Sequence, residues 1–248
     1  AGRQAAEFLS EASATLFSSL DYETTIGAVI RAAVPPLADV CIVDELGDDE
    51  RITRKAVLVA DPRKQQLTER IWHFDQTADS SAPLAQVFRT GKSVLLESMH
   101  GLALDPARQA MVAELGVESA LSVPLVARGR VFGALTFLAT DSGRTYTDAD
   151  VVLAEEIGRR AAIAIDNAKL YEKARRESRA REDLLAIVSH DLRNPLNAIL
   201  MSAQLICETH AGDEDQRRRI ETIERSARRM DRIIADLLDF AGIEAGHL

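Results

Sequence analysis

The sequence predicts an α+β domain with an antiparallel sheet and flanking helices, joined by a long coiled-coil helix to an antiparallel helical hairpin. Two such hairpins are expected to form a four-helix bundle in a dimer. Three patterns predict this fold class. Short apolar strands alternate with helices up to residue 138, a helical pattern of roughly 60 residues follows Thr147, and a polar connection at residues 210–215 leads to a second helix.

The first half alternates helical and strand patterns. A helix over residues 3–34 ends at Pro35-Pro36, because the residue before proline avoids the helical conformation. The other predicted elements, in chain order, are strands over 38–45 and 52–59, helices over 62–74 and 82–90, a strand over 93–96 and a helix over 105–115. Gly91 and Gly116 follow the last two helices and are typical of C-terminal caps.

A β-hairpin is the clearest local pattern in this half. Residues 119–127 form one strand and residues 130–138 the other, around the tight turn Arg128-Gly129. Pro124 lacks a backbone N–H, which indicates an edge position or an irregularity in the first strand.

The second half is predicted to be two helices. Thr147 can cap the first, and Asp150 stands where a capping-box partner belongs. The second has apolar residues at alternating spacings of three and four: Ile220, Ile223, Ala227, Met230, Ile234, Leu237 and Ala241. One hairpin of two helices has too little core to be stable alone, so a homodimer is expected.

Composition narrows the function classes. The 248 residues carry a net charge of −9, which disfavours nucleic acid as a partner, since phosphate backbones require a basic surface. No apolar run approaches the roughly 18 residues needed to cross a bilayer. Cys41 and Cys207 lie far apart, which indicates a reduced compartment and predicts a cytoplasmic protein. The chain begins without Met, so a membrane segment upstream of Ala1 is an open alternative.

The first long helix places a histidine away from its apolar stripe. The stripe consists of Leu185, Val188, Leu192, Leu196, Ile199, Ala203 and Ile206. At 100° per residue, His190 points about 150° away from the stripe centre, with Asn194 one turn beyond it and Asp191 at the flank. A histidine with a carboxylate on one ring nitrogen is a competent phosphoryl nucleophile. The alternative for a single exposed histidine is an ordinary solvated side chain.

Residues 189–196, Ser-His-Asp-Leu-Arg-Asn-Pro-Leu, resemble the H-box of the dimerisation and phosphotransfer domain of sensor histidine kinases. The usual form is Ser-His-Glu-Leu-Arg-Thr-Pro-Leu, so this chain has Asp for Glu and Asn for Thr. Residues 237–246 also resemble the end of the family's second helix. The similarity covers about 65 residues in the family's order.

This resemblance implies a role for each residue of the motif. His190 would attack the γ-phosphate of ATP, and Asp191 would be the general base or the orienting carboxylate. Asn194 would position water for dephosphorylation of the partner response regulator, while Pro195 would permit a helix bend. The phosphoryl group would then pass to an aspartate on the receiver domain of that regulator.

Residues 21–170 resemble a GAF domain. The similarity lies in residues 88–94, in the hairpin of residues 122–135 and in the helix segment 161–168. The resemblance implies a sensor pocket on one face of the sheet with an unknown ligand, or no ligand and a dimerising role. A bilin would need a cysteine beside the pocket, and Cys41 is predicted to be a buried core residue. A haem would need His73 or His100 as an axial ligand, and no metal site is predicted.

The resulting prediction is a four-part chain that belongs to a sensor histidine kinase. Its parts are a helical lead-in (1–20), a GAF domain (21–167), a coiled-coil linker (168–183) and the phosphotransfer domain (184–248). ATP and Mg²⁺ are expected to come through an ATP-binding catalytic domain absent from this chain, which would be inactive alone. The alternative function is a non-catalytic dimeric adaptor that binds a small ligand or a regulator. His73, His100, His210 and His247 are weaker site candidates than His190, because they lack comparable neighbours.

Overall fold

A computed structural model describes residues 19–47, 49, 51–72, 76–77, 82–102, 104, 106–209 and 214–244. Within these ranges, side-chain placement is not described for 76–77, 184, 195, 202, 205–209, 215–216, 219 and 237–244. The chain divides into two compact units, one up to Glu172 and one from Lys173 onward. No helix of the described residues is both long and apolar enough to cross a membrane.

The first unit contains a six-stranded antiparallel sheet in the order β3-β2-β1-β6-β5-β4. The strands are β1 (Val40–Leu46), β2 (Arg51–Val59), β3 (Gln76–Thr77), β4 (Val94–Leu96), β5 (Ser119–Ala127) and β6 (Arg130–Ala139). The helices are α1 (Tyr22–Ala33), α2 (Leu67–Trp72), α3 (Pro83–Thr90), α4 (Pro106–Leu115), α5 (Asp148–Thr209) and α6 (Glu214–Glu244). The predicted α+β class with an antiparallel sheet is confirmed.

The first helix begins later than the sequence pattern predicts. Its N-cap is Asp21, whose carboxylate accepts a hydrogen bond from Thr24 N at 2.8 Å, and residues 19–21 are not helical. The prediction of one helix over 3–34 is therefore wrong at residues 19–21, because Asp21 caps a helix that begins at Tyr22. Residues 1–18, which include most of the predicted lead-in, lie outside the described residues. The predicted end before Pro35 is confirmed.

The helix predicted over 62–74 is two short helices. Asp61 caps a 3₁₀ turn over Pro62–Lys64, and α2 begins separately at Leu67. The Asp61 carboxylate accepts from Arg63 N at 2.9 Å, which favours a tight turn over a continuing α-helix. Residues 73–74 lie outside the described residues.

Strand β1 contributes to the core on both faces of the sheet. Cys41 and Val43 belong to the larger apolar cluster, which also contains Ile26 of α1 and Ile165 of α5. Ile42 packs on the other face with Ile71 of α2, in a cluster that also contains Leu115 of α4. The sheet is therefore buried between two helical layers, and alternation places Asp44 on the Ile42 face and Glu45 on the Cys41 face.

The predicted hairpin is confirmed as β5 and β6. Arg128 and Gly129 have φ of 52° and 76°, the left-handed conformation that a two-residue hairpin turn requires. Pro124 lies beyond the part of β5 that pairs with β4, which ends at Ser122, and close to a register shift at Leu125/Val126. The missing N–H of Pro124 is accommodated where pairing with β4 has ended.

The second half contains the two predicted helices. Helix α5 spans 62 residues, and Asp150 accepts from Thr147 N at 2.9 Å at its start. Helix α6 begins at Glu214, so the predicted connection over 210–215 is too long by two residues at its end. Residues 210–213 lie outside the described residues.

The two helices of the second unit pack as an antiparallel hairpin. Leu196 of α5 forms a buried cluster with Ala227 and Ile234 of α6. Arg193 Nε lies 3.3 Å from Asp231 Oδ1. Because only four residues separate the end of α5 from the start of α6, the second helix returns along the first in the opposite direction. This hairpin orients the candidate histidine.

Candidate functional site

His190 lies on α5 next to a line of residues that faces α6. Ser189, Leu196 and Ala203 recur every seven residues, and each is nearly fully buried in the single chain. His190 follows Ser189 by one residue, which rotates it by about 100° out of this line. Its side chain is 74% exposed, so the register of the hairpin places the imidazole outside the packed seam.

Asp191 lies beside the imidazole. The distance from His190 Nδ1 to Asp191 Oδ1 is 3.2 Å, and the carboxylate is as open to solvent as the ring. A carboxylate oxygen accepts, so in the neutral ring this contact assigns the proton to Nδ1 and leaves a lone pair on Nε2. The arrangement therefore supplies an exposed nitrogen nucleophile with an oriented ring.

Asn194 is exposed one turn beyond His190, at the i+4 spacing that places two residues on one face of a helix. Pro195 lies within the helical range of α5, and its side chain is outside the described set. The water-positioning role of Asn194 and the bend at Pro195 stay predictions.

The apolar stripe predicted on α5 divides into two parts. Leu196 and Ala203 are buried in the hairpin, whereas Leu192 and Ile199 are 50% and 44% exposed. The second helix divides in the same way: Ile220, Ala227 and Ile234 are buried, and Ile223, Met230 and Ile233 are exposed. Leu192 and Ile199 of α5 and Met230 and Ile233 of α6 line a groove that is almost wholly apolar; we call it the outer groove.

Two features of this unit were not found from the sequence. Ser189 has its hydroxyl buried with no hydrogen-bond partner among the described residues, and Arg193 bridges to Asp231. The burial of Ser189 could have been predicted from its seven-residue spacing to Leu196. The Arg193–Asp231 contact depends on the register between two helices, which the sequence of either helix alone does not contain.

The first unit contains a cavity of about 120 Å³ on the Ile42 face of the sheet. Its walls come from the sheet and from α2, α3, α4 and the loop after β4, and they are mostly aliphatic. Its few polar side chains are Asp44, Arg54, Arg108, Ser122 and Thr136. The cavity lies on one face of the sheet, as the resemblance implied, but its wall residues were not identified from the sequence.

Asp44 and Arg54 form a buried ion pair in the cavity wall. The residues are direct cross-strand neighbours on β1 and β2, and their Oδ1 and Nε atoms are 2.9 Å apart. Both side chains are at most 6% exposed, and Arg54 also donates to the Ile71 carbonyl. Burial raises the pKa of Asp44, and the nearby Arg54 opposes that rise. The sequence signal that could have predicted this pair is an acidic and a basic residue at matching positions of two neighbouring strands.

A second charge cluster lies on the opposite face of the same strand. Lys169 of α5 is 2.8 Å from Glu45, and its ammonium lies 5.6 Å and 4.9 Å from the ring centres of Tyr22 and Phe132. Burial and the charge of Glu45 raise the pKa of Tyr22. Adjacent residues of β1 thus contact the cavity on one face and α5 on the other.

The cysteine and the other histidines considered as cofactor ligands lie partly within the described residues and partly outside them. Cys41 is fully buried on the face opposite the cavity, and burial raises its pKa to about 12. His100 is exposed after β4, with Nδ1 3.3 Å from Ser98 Oγ. His73, His210 and His247 lie outside the described residues. Within the described part of the chain, no group of three or more His, Cys, Asp or Glu side chains is arranged to hold a metal ion.

Two family models match the chain. Residues 19–166 match the GAF domain, and residues 180–246 match the His Kinase A (phospho-acceptor) domain. The second range contains His190, the C-terminal part of α5 and all of α6.

A curated relative and two solved structures are similar to parts of the chain. Signal transduction histidine-protein kinase BarA of Escherichia coli (strain K12) is 40% identical over 86 residues, which are 35% of this chain and 9% of BarA. The GAF domain of an Acinetobacter phosphoenolpyruvate-protein phosphotransferase has a TM-score of 0.54 at 16% identity, covering 68% of this chain and 98% of that domain. The GAF domain/HD domain protein of Geobacter sulfurreducens has a TM-score of 0.51 at 17% identity, covering 64% of this chain and 98% of that chain. The two structures support the fold alone.

Proposed function

The chain belongs to the GAF-domain family and carries a His Kinase A (phospho-acceptor) domain after it, and we propose that it is the sensor and phosphoacceptor part of a two-component sensor histidine kinase. The observation that carries the proposal is the exposed His190 ring with the Asp191 carboxylate at Nδ1. The GAF unit would sense a signal and control the phosphorylation of this histidine.

The proposed reaction uses both nitrogens of the His190 ring. Asp191 holds the Nδ1 proton, so the Nε2 lone pair attacks the γ-phosphorus of ATP. An N–P bond forms, the bond between the γ-phosphorus and the bridging oxygen breaks, and ADP leaves with that electron pair. The ring gains positive charge in this step, and Asp191 stabilises it or accepts the Nδ1 proton. ATP and Mg²⁺ would be bound by the ATP-binding catalytic domain of the kinase.

Phosphotransfer would follow from the same exposed position. A carboxylate oxygen of an aspartate on a response-regulator receiver domain would attack the phosphorus and release the His190 nitrogen. In the opposing activity, water would attack the aspartyl phosphate of the regulator, releasing inorganic phosphate and the free carboxylate. Asn194 would orient that water, because its amide lies on the same helix face as His190, one turn away. Pro195 would permit a local bend, since proline removes one helical hydrogen bond.

A second copy of the chain would cover the outer groove. Two apolar lines run along each helix, and the hairpin buries only one of them. In a homodimer the second lines of both copies would form the core of a four-helix bundle. The dimer would also place two His190 side chains on the outside of one bundle.

Phosphorylation in trans tests the proposal. The chain is incubated with Mg²⁺, γ-labelled ATP and the catalytic domain of its parent kinase. Acid-labile label should appear on the wild-type chain and on His100→Gln, which removes another exposed histidine, and should be absent from His190→Gln. Label on His190→Gln would place the nucleophile elsewhere. An unlabelled wild-type chain, beside an active catalytic domain, would favour a non-catalytic adaptor.

A further inference from the structure

The GAF-unit cavity has properties that define a class of ligand. Its volume of about 120 Å³ is close to the roughly 150 Å³ of an engineered cavity that holds benzene. A ligand with about six or seven non-hydrogen atoms fits this space, whereas drug-sized ligands occupy pockets of about 300 Å³ or more.

We propose that the cavity binds a small uncharged aromatic alcohol of the size of phenol, with the ring among the aliphatic side chains and the hydroxyl on Ser122 and Thr136. This inference deepens the sensor role proposed above and rests on it. Three properties of the wall favour this class of ligand: its hydroxyl pair, its buried ion pair and its methionines.

The hydroxyl pair supplies the polar contact. Ser122 and Thr136 lie directly opposite each other on β5 and β6, with their oxygens 3.0 Å apart. The two groups have two protons, and only one of them can lie between the oxygens. The other proton and the remaining lone pairs can engage a ligand hydroxyl, which itself both donates and accepts. Ser122 is only 6% exposed, so such a contact would be shielded from water.

The charges of the wall favour a neutral ligand. Arg54 is bound to Asp44 and to the Ile71 carbonyl, so this buried pair presents a dipole and no net charge. Arg108, at the half-buried part of the wall, has an interaction of its own. A carboxylate ligand would bring an additional charge into this interior, where an uncompensated charge is strongly disfavoured.

Two methionines favour an aromatic ring over an aliphatic one. Met99 and Met111 line the cavity, and thioether sulfur makes favourable contacts with aromatic rings. Flexible methionine side chains also adapt their shape to a bound ring.

The methionines also provide the test. The chain has four: Met99 and Met111 at the cavity, and Met201 and Met230 on the helical hairpin. In the full chain labelled at the methionine methyls, phenol should shift the Met99 and Met111 NMR signals saturably, through its ring current. The two hairpin signals should stay in place. Each signal is assigned with a Met→Leu variant.

Matched ligands and variants test the contacts. Toluene, which lacks the hydroxyl, and benzoate, which adds a charge, should bind about 3- to 10-fold more weakly than phenol. Ser122→Ala and Thr136→Val should each weaken the binding of phenol by a similar factor and leave the binding of toluene unchanged. Ala120→Val, which adds two methyl groups to the wall, should reduce binding, while Ala127→Val on the same strand, away from the cavity, should leave it unchanged.

Several outcomes would overturn the inference. Equal shifts at Met230 would mean unspecific partition into apolar surface. If toluene binds as tightly as phenol, or benzoate binds more tightly, the proposed ligand class is wrong. If phenol causes no saturable shift at Met99 and Met111 in a folded chain, the cavity is not the binding site. Phosphorylation of His190 is measured separately, so a chain that accepts phosphate but ignores phenol fails this inference alone.

Discussion

The Asp44–Arg54 pair of the GAF unit and the His190–Asp191 pair of the helical hairpin lie at opposite ends of the burial scale. Asp44 and Arg54 are buried and cross-strand, at positions ten residues apart in the chain, with side chains at most 6% exposed. His190 and Asp191 are adjacent in the chain and open to solvent. The first pair depends on sheet pairing to exist, whereas the second needs only a turn of helix and an exposed face.

This difference has energetic consequences. A buried pair that loses one partner leaves an uncompensated charge, which is expensive, whereas an exposed pair loses little when it is broken. We therefore expect substitutions at the Asp44–Arg54 pair to act mainly on folding. Substitutions around His190 should act mainly on chemistry and association.

The largest effect is expected from Arg54→Met. The variant leaves Asp44 buried without its cation and should lower the free energy of unfolding of the GAF unit by about 3–5 kcal/mol. Denaturant unfolding followed by the fluorescence of Trp72, the chain's single tryptophan, reports on this unit. The double variant Asp44→Leu/Arg54→Met should be less destabilised than Arg54→Met alone. A loss below about 1 kcal/mol for Arg54→Met would remove the proposed distinction between the two regions.

The next effect concerns association through the outer groove. Met230→Glu places a charge where a second copy is proposed to pack, and should weaken the dimer by about 100-fold. Met201→Glu is the matched control, because Met201 lies seven residues after Asn194, on the exposed face of α5. Sedimentation equilibrium measures both. An unchanged dimer in Met230→Glu would place the interface elsewhere.

Asn194→Ala should separate two activities of one surface. If its amide orients water, regulator dephosphorylation should fall roughly tenfold, while phosphorylation of His190 changes less than about twofold. Asn197→Ala, an exposed amide one turn further along α5, is the control. Equal loss of both activities in Asn194→Ala would assign the side chain to the fold or to nucleotide access.

The smallest effect is expected from a surface cluster at the start of α5. Arg159 and Arg160 hydrogen-bond to Glu156 and lower its pKa to about 2 from 4.5. A lowered folded-state pKa contributes stability above pH 4.5 that is lost as the pH falls towards 2. Glu156→Gln should therefore cost about 0.5 kcal/mol at pH 7 and nothing near pH 2. The same substitution in an Arg159→Gln/Arg160→Gln background should have no effect at either pH; a constant cost would indicate packing instead of charge.

Much of the fold followed from local patterns in the sequence. The turn at Arg128-Gly129, the cap at Gly91 and the length of α5 depend on residues close in the chain, and each was predicted. The exposure of His190 likewise followed from helical periodicity, because burial on a helix repeats with a fixed period.

The features that were missed depend on pairing between distant segments. The Asp44–Arg54 pair needs the register of β1 against β2, and the Glu45–Lys169 pair joins residues more than 120 positions apart. The helix predicted across residue 21 failed for a different reason: apolar periodicity outweighed the capping signal of Asp21. The division of the α5 stripe into buried and exposed lines required the position of α6.

We propose that His190 reacts through Nε2 because Asp191 contacts Nδ1. Phosphorus and nitrogen NMR of the phosphorylated chain, with ¹⁵N-labelled histidine, distinguishes the two ring isomers of phosphohistidine directly. We expect one N–P bond, at His190 Nε2, and its loss in His190→Gln. A bond at Nδ1, or a phosphoryl group on any other residue, would contradict the claim.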